Sequence, residues 1–225
     1  MNCISTSIFD IFKIGPGPSS SHTAGAVRLG LLAAGILGGR PKKAQIYLHG
    51  SFAETYRGHG TDMALLSGLM GWKPDDARIP QAEEFAAACG MEYAFHKIDL
   101  GNLTHPNTVL FQLTDAAGGS CEIIGSSVGG GQVRVNAIDG FPVELTGRLP
   151  VILTLHEDKR GVIALVSSIL ASGGVNIATM RVFRNDKGGI ASMVIECDQN
   201  VPQSIINIIG ALEPIKSVRF IAGVL

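Results

Sequence analysis

Closely spaced metal ligands are missing from this sequence. Only four of the 225 residues are cysteine, and Cys3, Cys89, Cys121 and Cys197 lie far apart, with no CxxC pair and no cysteine–histidine cluster. Zinc and iron–sulfur sites usually draw their ligands from short spacings. We therefore expect that the chain does not hold a metal on its own.

Charge of either sign and long apolar runs are also scarce. The formal net charge is −1, from 18 basic and 19 acidic residues, which provides no basic surface for nucleic acid or an anionic membrane. The longest apolar stretch, residues 29–37, is interrupted by Gly30 and Gly35 and is too short to span a bilayer. The N-terminus lacks the basic start and apolar run of a signal peptide. We expect a cytoplasmic protein without nucleic-acid or membrane partners.

Common nucleotide-binding motifs do not occur, since the sequence contains no GxGxxG and no GxxxxGK[ST]. Nucleotide binding therefore has no support. A GxSxG string occurs at residues 125–129, but it lies between two predicted strands and not at the strand-to-helix turn of a nucleophile elbow. A Ser/His/Asp hydrolase can be assembled from Ser21, His22 or His59, and Asp62, but it ranks low without the elbow.

What the sequence does contain divides into two parts. Irregular, glycine-rich segments give way to a regular alternation of elements near residues 147–150, which predicts domains at residues 1–147 and 148–225. The second part predicts strands and helices in the order β-α-β-β-α-β, the split βαβ or ferredoxin-like arrangement. Its predicted elements are strand 150–155, a helix from Val162, strand 176–184, strand 190–197, a helix after Pro202 and strand 218–224.

The first part mixes predicted helices and strands, so the fold class is α+β, with helices packed on a largely antiparallel sheet. A short amphipathic piece covers residues 7–12, and helices are predicted at residues 19–37, 61–69 and 82–89. Strands are predicted at residues 44–49, 91–98, 108–113, 120–124 and 131–138.

The first candidate site is the motif GPGPSSSHT at residues 15–23. Hydroxyls and the His22 imidazole lie where a loop enters a helix, and a helix N-terminus suits a carboxylate or phosphate. His22 would titrate near neutral pH. The alternative is a serine-rich N-cap, from Ser19, Ser20 or Ser21, beside a surface histidine.

The second candidate site is the motif GHGTD at residues 58–62. Glycines on both sides leave the imidazole of His59 uncrowded, which suits a general base at a loop-to-helix junction. The alternative is a glycine-punctuated turn that is capped by Thr61 or Asp62.

Both motifs resemble those of a known family. Residues 15–23, with Ser-Ile-Phe-Asp at 7–10, look like the opening of the β domain of iron–sulfur L-serine dehydratases, and residues 58–62 are similar to the second signature of that domain. The resemblance spans about residues 7–145. It implies a β subunit that acts with an α subunit, and this partner would carry the family's [4Fe-4S] cluster.

The resemblance also implies a reaction and its residues. A base would remove the α-proton of L-serine, water would leave with the partner's cluster as Lewis acid, and aminoacrylate would decay to pyruvate and ammonia. His22 and His59 take base or proton-relay roles, with no decision between them. The residues expected to order the loop or contact the substrate are Ser19, Ser20, Ser21, Thr23, Thr61 and Asp62.

The C-terminal part resembles an ACT domain. Residues 156–162 and 174–177 are similar to the serine-binding ACT domain of phosphoglycerate dehydrogenase, which implies effector contacts from His156, Asp158 and Asn176. Asp158 replaces an amide of that family, and its charge would repel an effector carboxylate. The alternative is an ACT domain that only forms a homodimer, through edge strands or helices.

Two functions of different classes remain. One is the β subunit of an L-serine dehydratase, with L-threonine left open as a poorer substrate. The other is a non-catalytic sensor that binds amino acids. The first predicts that His22 and His59 are essential once a cysteine-rich partner is present, and the second predicts tight amino-acid binding by the chain alone.

Overall fold

The structure, a computed structural model, describes residues 19–184 and 186–223. The chain forms two compact units, of which the first ends at Asn136 and the second begins at Ala137. This division lies before the domain boundary expected at residues 147–148, because the strand at Phe141–Leu145 packs on strands of the second unit.

The first part of the chain places helices against a mixed sheet. Its helices are α1 (Ala26–Leu37), α2 (Ser51–His59), α3 (Thr61–Leu69) and α4 (Ala82–Ala88), with a π-helical turn at Ser21–Gly25 and a 3₁₀ turn at Ile79–Gln81. Its strands are β1 (Lys43–Leu48), β2 (Glu92–Lys97), β3 (Thr108–Thr114), β4 (Ser120–Gly129), β5 (Gln132–Ile138) and β6 (Phe141–Leu145). The sheet order is β2-β1-β3-β4-β5-β6. The β1–β3 and β3–β4 pairs are antiparallel and β1–β2 is parallel, in agreement with the expected α+β class.

Two glycines allow helices α1 and α3 to cross with their backbones in direct contact. A Cβ atom on Gly30 would lie 2.4 Å from the carbonyl oxygen of Leu65, and one on Gly68 would lie 2.1 Å from that of Val27. Any larger side chain at either position would therefore push the two helices apart. This crossing matters for function because the two predicted motifs lie at the starts of these helices.

The two faces of the sheet differ. A Cβ atom on Gly125 of β4 would meet the Leu29 side chain of α1, so this face packs on the helices. Phe111 of β3 pairs with Ile123 of β4 on the same face, and both are buried. The intervening residues point the other way, because side chains alternate along a strand. That second face carries a polar row, in which Thr108 pairs with Ser126.

The second unit contains the predicted βαββαβ arrangement. Its elements are β7 (Val151–Glu157), α5 (Val162–Ser172), β8 (Ile177–Arg184), β9 (Ile190–Cys197), α6 (Gln203–Gly210) and β10 (Ile215–Ile221), and its sheet order is β10-β7-β9-β8. Both helices bury their apolar residues against one sheet face, where Val166, Ile209, Met193 and Ile195 belong to a single core.

Two elements were not predicted, and each has a sequence reason. Helix α2 buries only Phe52 and Ala53, so its apolar pattern is too sparse to indicate a helix. Strand β6 contains Pro142, which normally argues against a strand. Within the described residues, no helix is both long and apolar enough to cross a membrane.

Candidate functional site

His22 lies in a wide helical turn that is anchored to the sheet. The turn precedes α1, and the hydroxyl of Ser127 on β4 donates a hydrogen bond of 2.9 Å to the carbonyl oxygen of Ser21. A Cβ atom on Gly25 would lie 2.1 Å from the Ser127 hydroxyl oxygen, so glycine permits this close approach. The first motif thus continues directly into the helix that crosses α3.

The expected serine N-cap is wrong for the described residues. The residue before the turn is Ser20, and its side chain makes no capping hydrogen bond. A π-helical turn replaces the regular first turn of an α-helix, and the hydroxyl of Ser19 instead lies 3.3 Å from Nδ1 of His22. Residues 15–18 of the same motif lie outside the described part of the chain.

His59 is the last residue of α2, and a single residue separates it from α3. Gly60 adopts the left-handed conformation, with φ of 67°, which a side chain rarely accepts. The chain thereby turns from α2 into α3 without a loop. The loop-to-helix junction predicted at this motif is therefore wrong, because Gly58 and His59 are helical.

The two histidine rings meet edge to face. Their centroids are 4.8 Å apart with an interplanar angle of 88°, and the ring of Phe52 packs 5.2 Å from His22. The hydroxyl of Ser51, the first residue of α2, lies 3.3 Å from Nε2 of His22. The structure thus brings together the two residues that the sequence motifs predict, with a hydroxyl at each nitrogen of one ring.

His22 is held in its neutral form. Its side chain is buried, with 8% of the residue exposed. Burial lowers the pKa of the imidazole, and the neighbouring His59 lowers it further. A neutral imidazole can accept a proton, which is the requirement for a general base near neutral pH.

Three buried polar atoms near this pair have no hydrogen-bond partner among the described residues. They are Nδ1 of His59 and the hydroxyl oxygens of Thr23 and Thr61. Both threonines are at least 98% buried, since 2% and 0% of their surface is exposed. Such atoms are costly unless another group pairs with them. The cluster is therefore suited to receive hydrogen bonds from a bound molecule or another chain.

Asp62 follows Thr61 in the first turn of α3. Burial raises the pKa of its carboxyl group, against the lowering effects of backbone hydrogen bonds and of the Arg57 charge. The amide of Met63 donates a 2.9 Å hydrogen bond to Oδ1. The backbone of the first turn of α3 thus fixes the orientation of the Asp62 carboxylate.

The predicted effector residues already have partners in the second unit. Oδ2 of Asp158 accepts hydrogen bonds from Arg184 (2.9 Å) and from the amide of Gly188 (3.0 Å), and these contacts keep its pKa low. The amide of Asn176 donates to Asp198 at 2.5 Å. His156 is buried in β7, where the sequence predicted a loop.

The described residues do not form a ligand set for an iron–sulfur cluster. No group of three or more His, Cys, Asp or Glu side chains in residues 19–184 and 186–223 is arranged to hold a metal ion. Among these residues Cys89 follows α4, Cys121 lies on β4 and Cys197 lies on β9.

Two contributors were missed by the sequence reasoning. Ser51 lies in a helix that was not predicted, and Ser127 lies in β4 more than a hundred positions from the turn that it anchors. Neither belongs to a recognisable motif. Their roles depend on tertiary contacts that residue spacing does not report.

Comparisons with known proteins agree with the two-part organisation. Residues 7–100 match the family described as serine dehydratase beta chain, and residues 151–214 match the ACT domain family. The "Probable L-serine dehydratase, beta chain" of Bacillus subtilis is 42% identical over 96% of this chain and 98% of its own. The "L-serine dehydratase, beta chain" of Peptoniphilus asaccharolyticus is 37% identical over 91% and 92%, respectively. The "L-serine dehydratase" of Helicobacter pylori is 51% identical over 30% of this chain and 15% of its own.

Proposed function

The chain belongs to the family of L-serine dehydratase β chains and carries an ACT domain, and on that premise we propose that it is the β subunit of a two-chain L-serine dehydratase. With an α subunit it would convert L-serine to pyruvate and ammonia in the cytoplasm. The β-chain names of the two full-length relatives imply such a partner. The observation that carries the proposal is the edge-to-face contact of His22 and His59.

In this proposal the histidine pair removes the α-proton of L-serine. Burial and the neighbouring ring keep His22 neutral, so a proton can be accepted by the pair without prior deprotonation. A positive charge on the neighbouring His59 ring disfavours a proton on His22. The proton is then available for return to the leaving hydroxyl or to solvent.

The hydroxyls around His22 would serve as a short proton relay. Those of Ser19 and Ser51 lie 3.3 Å from opposite nitrogens of the ring. A hydroxyl can donate or accept, so His22 can take a proton at one nitrogen and release it at the other. Thr23 and Thr61 would provide hydrogen bonds to the substrate, because their buried oxygens have no partner in the described chain.

The proposal assigns the [4Fe-4S] cluster to the α subunit. The described residues of this chain offer no ligand set for it. When bound, the cluster supplies a Lewis acid for the hydroxyl of L-serine that leaves as water. The part played by this chain is to position the substrate and to accept and move the α-proton.

For the ACT domain, we favour homodimerisation over effector binding. Asp158 and Asn176 are engaged in hydrogen bonds within their own unit. Strand β8 forms one edge of the four-stranded sheet, and Val182 on this strand is 39% exposed. An exposed sheet edge is a ready surface for pairing with a second copy.

The test is an activity assay on the complex with the α subunit, purified without oxygen. We expect His22→Ala and His59→Ala each to lower kcat for pyruvate formation by about 100-fold or more, which is the usual contribution of general acid–base catalysis. His96→Ala is the matched control, because His96 lies on exposed strand β2 and bonds Gln45. Full turnover in both histidine variants would refute the assignment.

A further inference from the structure

The hairpin that joins strands β4 and β5 has a loop made of glycine alone. Gly130 and Gly131 lie between the two strands, and both have positive φ, of 56° and 72°. Positive φ at both loop residues is the requirement of a type I′ turn, which matches the twist of paired strands. Because glycine restricts the backbone so little, the residues of the loop hold it in place only weakly. Its position beside α1 therefore depends on contacts from outside the loop.

Arg28 of α1 supplies such a contact. Its Nη1 donates a hydrogen bond of 2.5 Å to the carbonyl oxygen of Gly131. A Cβ atom on Gly131 would lie 2.8 Å from the same Nη1 and 3.4 Å from the Cβ of Ala24. Ala24 and Arg28 are four residues apart, so they lie on the side of the helix that the loop contacts. A side chain at position 131 would displace either the loop or the guanidinium.

The end of β4 contacts the same helical turn at a second point. The hydroxyl of Ser127 donates a hydrogen bond of 2.9 Å to the carbonyl oxygen of Ser21, which is the first residue of the π-helical turn. Ala24, which the loop contacts, belongs to the same turn, and His22 lies between the two contacts. One contact would allow the turn to pivot, whereas two contacts at different residues fix its orientation. The hairpin thus holds the turn that carries His22.

The charge of Arg28 is costly where it lies. Its side chain is half-buried. Burial lowers the pKa of the guanidinium, and no carboxylate of the described residues opposes this effect. A charge that leaves water without an acidic partner costs free energy, and the charge-assisted bond to the Gly131 carbonyl offsets only part of that cost. An uncharged side chain would fill the same space at a lower cost, so stability alone does not explain the arginine.

We propose that Arg28 is a positioning residue for the reaction: it fastens the glycine loop of the β4–β5 hairpin to α1 and, together with Ser127, fixes the turn that holds His22 against His59. The effect on catalysis rests on the proposed function. The role of Arg28 is mechanical, because burial and the His59 ring, rather than the charge of Arg28, lower the pKa of His22.

The first experiment is a histidine NMR titration of the full chain, in which the His22 signal is assigned by its loss in His22→Ala. Arg28→Met removes the hydrogen bond and should allow water to reach the ring, so the pKa of His22 should rise toward 6.5. Arg28→Lys keeps a charged donor and should cause a smaller rise. Arg40→Met is the matched control, because exposed Arg40 follows the other end of α1, and it should cause no change.

The second experiment measures kcat for pyruvate formation by the complex with the α subunit, purified without oxygen. Arg28→Met should lower kcat about 10- to 100-fold, because a displacement of about 1 Å at a reacting group can cost about 100-fold. Arg28→Lys should recover part of this loss, and Arg40→Met should keep the original turnover. Ser127→Ala removes the other contact and should shift the pKa of His22 in the same direction as Arg28→Met.

The proposal is overturned if Arg28→Met leaves both the pKa of His22 and kcat unchanged, or if Arg40→Met causes the same changes. It is also overturned if Arg28→Lys is as impaired as Arg28→Met, or if Ser127→Ala alone shifts the pKa of His22. Should Arg28→Met fail to fold by circular dichroism, Arg28→Lys decides by the same rise or its absence. Full turnover in His22→Ala would refute the proposed function, whereas the titration of the chain alone would still test the anchoring by Arg28.

Discussion

Replacing Gly25 by alanine should destabilise the chain through one contact. Gly25 has φ of −63° and ψ of −42°, ordinary helical values that alanine accepts. The added Cβ would instead lie 2.1 Å from Oγ and 2.9 Å from Cβ of Ser127. Ser127 must then rotate or shift, and its hydrogen bond to the Ser21 carbonyl is broken.

The magnitude follows from three opposing effects. Overpacking a buried contact costs about 1–3 kcal/mol, and loss of the Ser127 hydrogen bond costs about 1 kcal/mol. The helix propensity of alanine returns about 1 kcal/mol. We expect the free energy of unfolding to fall by about 1–3 kcal/mol, with a loss of activity in the α–β complex because the turn carrying His22 moves.

A double-mutant cycle in urea unfolding isolates the contact. In a Ser127→Gly background both clashing atoms are gone, so Gly25→Ala should cost nothing or stabilise by up to about 1 kcal/mol. Gly58→Ala is the matched control. It is also a helical glycine, but no atom lies within 4 Å of its added Cβ, and it should stabilise by about 0.5–1 kcal/mol. An equal cost of Gly25→Ala in both backgrounds would refute the reasoning.

Two further expectations concern pH and assembly. Burial lowers the pKa of His22 and His156 below 6.5, so near and below that pH the unfolded chain binds more protons than the folded one. The free energy of unfolding should therefore be fully retained above about pH 6.5 and should decrease as the pH falls below it. Urea unfolding at a series of pH values measures this dependence. A free energy that does not decrease would contradict the burial of both rings. If the proposed homodimer forms through strand β8, Val182→Lys should shift it toward monomer in light scattering, because a lysine on an edge strand opposes pairing. Ile163→Lys, at an exposed apolar position on α5, should leave the proposed dimer intact, and the reverse pattern would assign the interface to the helices.

The second unit is the part of the fold that the sequence predicts best. Its elements are short apolar runs separated by glycine, proline or polar turns, and strand Ile190–Cys197 has the predicted bounds. The first unit is harder, because its elements depend on partners far along the chain. Helix α2 has little apolar face of its own, and it is fixed by packing around Phe52.

The candidate site shows the same limit. Motifs and family resemblance identify His22 and His59, but their 4.8 Å separation results from the backbone contact of α1 and α3 at Gly30 and Gly68. Residue spacing contains no signal for that crossing. Ser51 was missed for the same reason, because its contact with His22 exists only after α2 packs against the turn.

Strand β4 constrains how this protein can vary among its relatives. Adjacent serines serve opposite faces of the sheet: Ser127 holds the turn of His22, and Ser126 hydrogen-bonds Thr108 on the other face. Removing or adding one residue within the strand would reverse the direction of every later side chain, and both surfaces would lose their hydroxyl in a single event. Length changes should therefore be confined to the hairpin ends of β4, whereas its interior should change only by substitution.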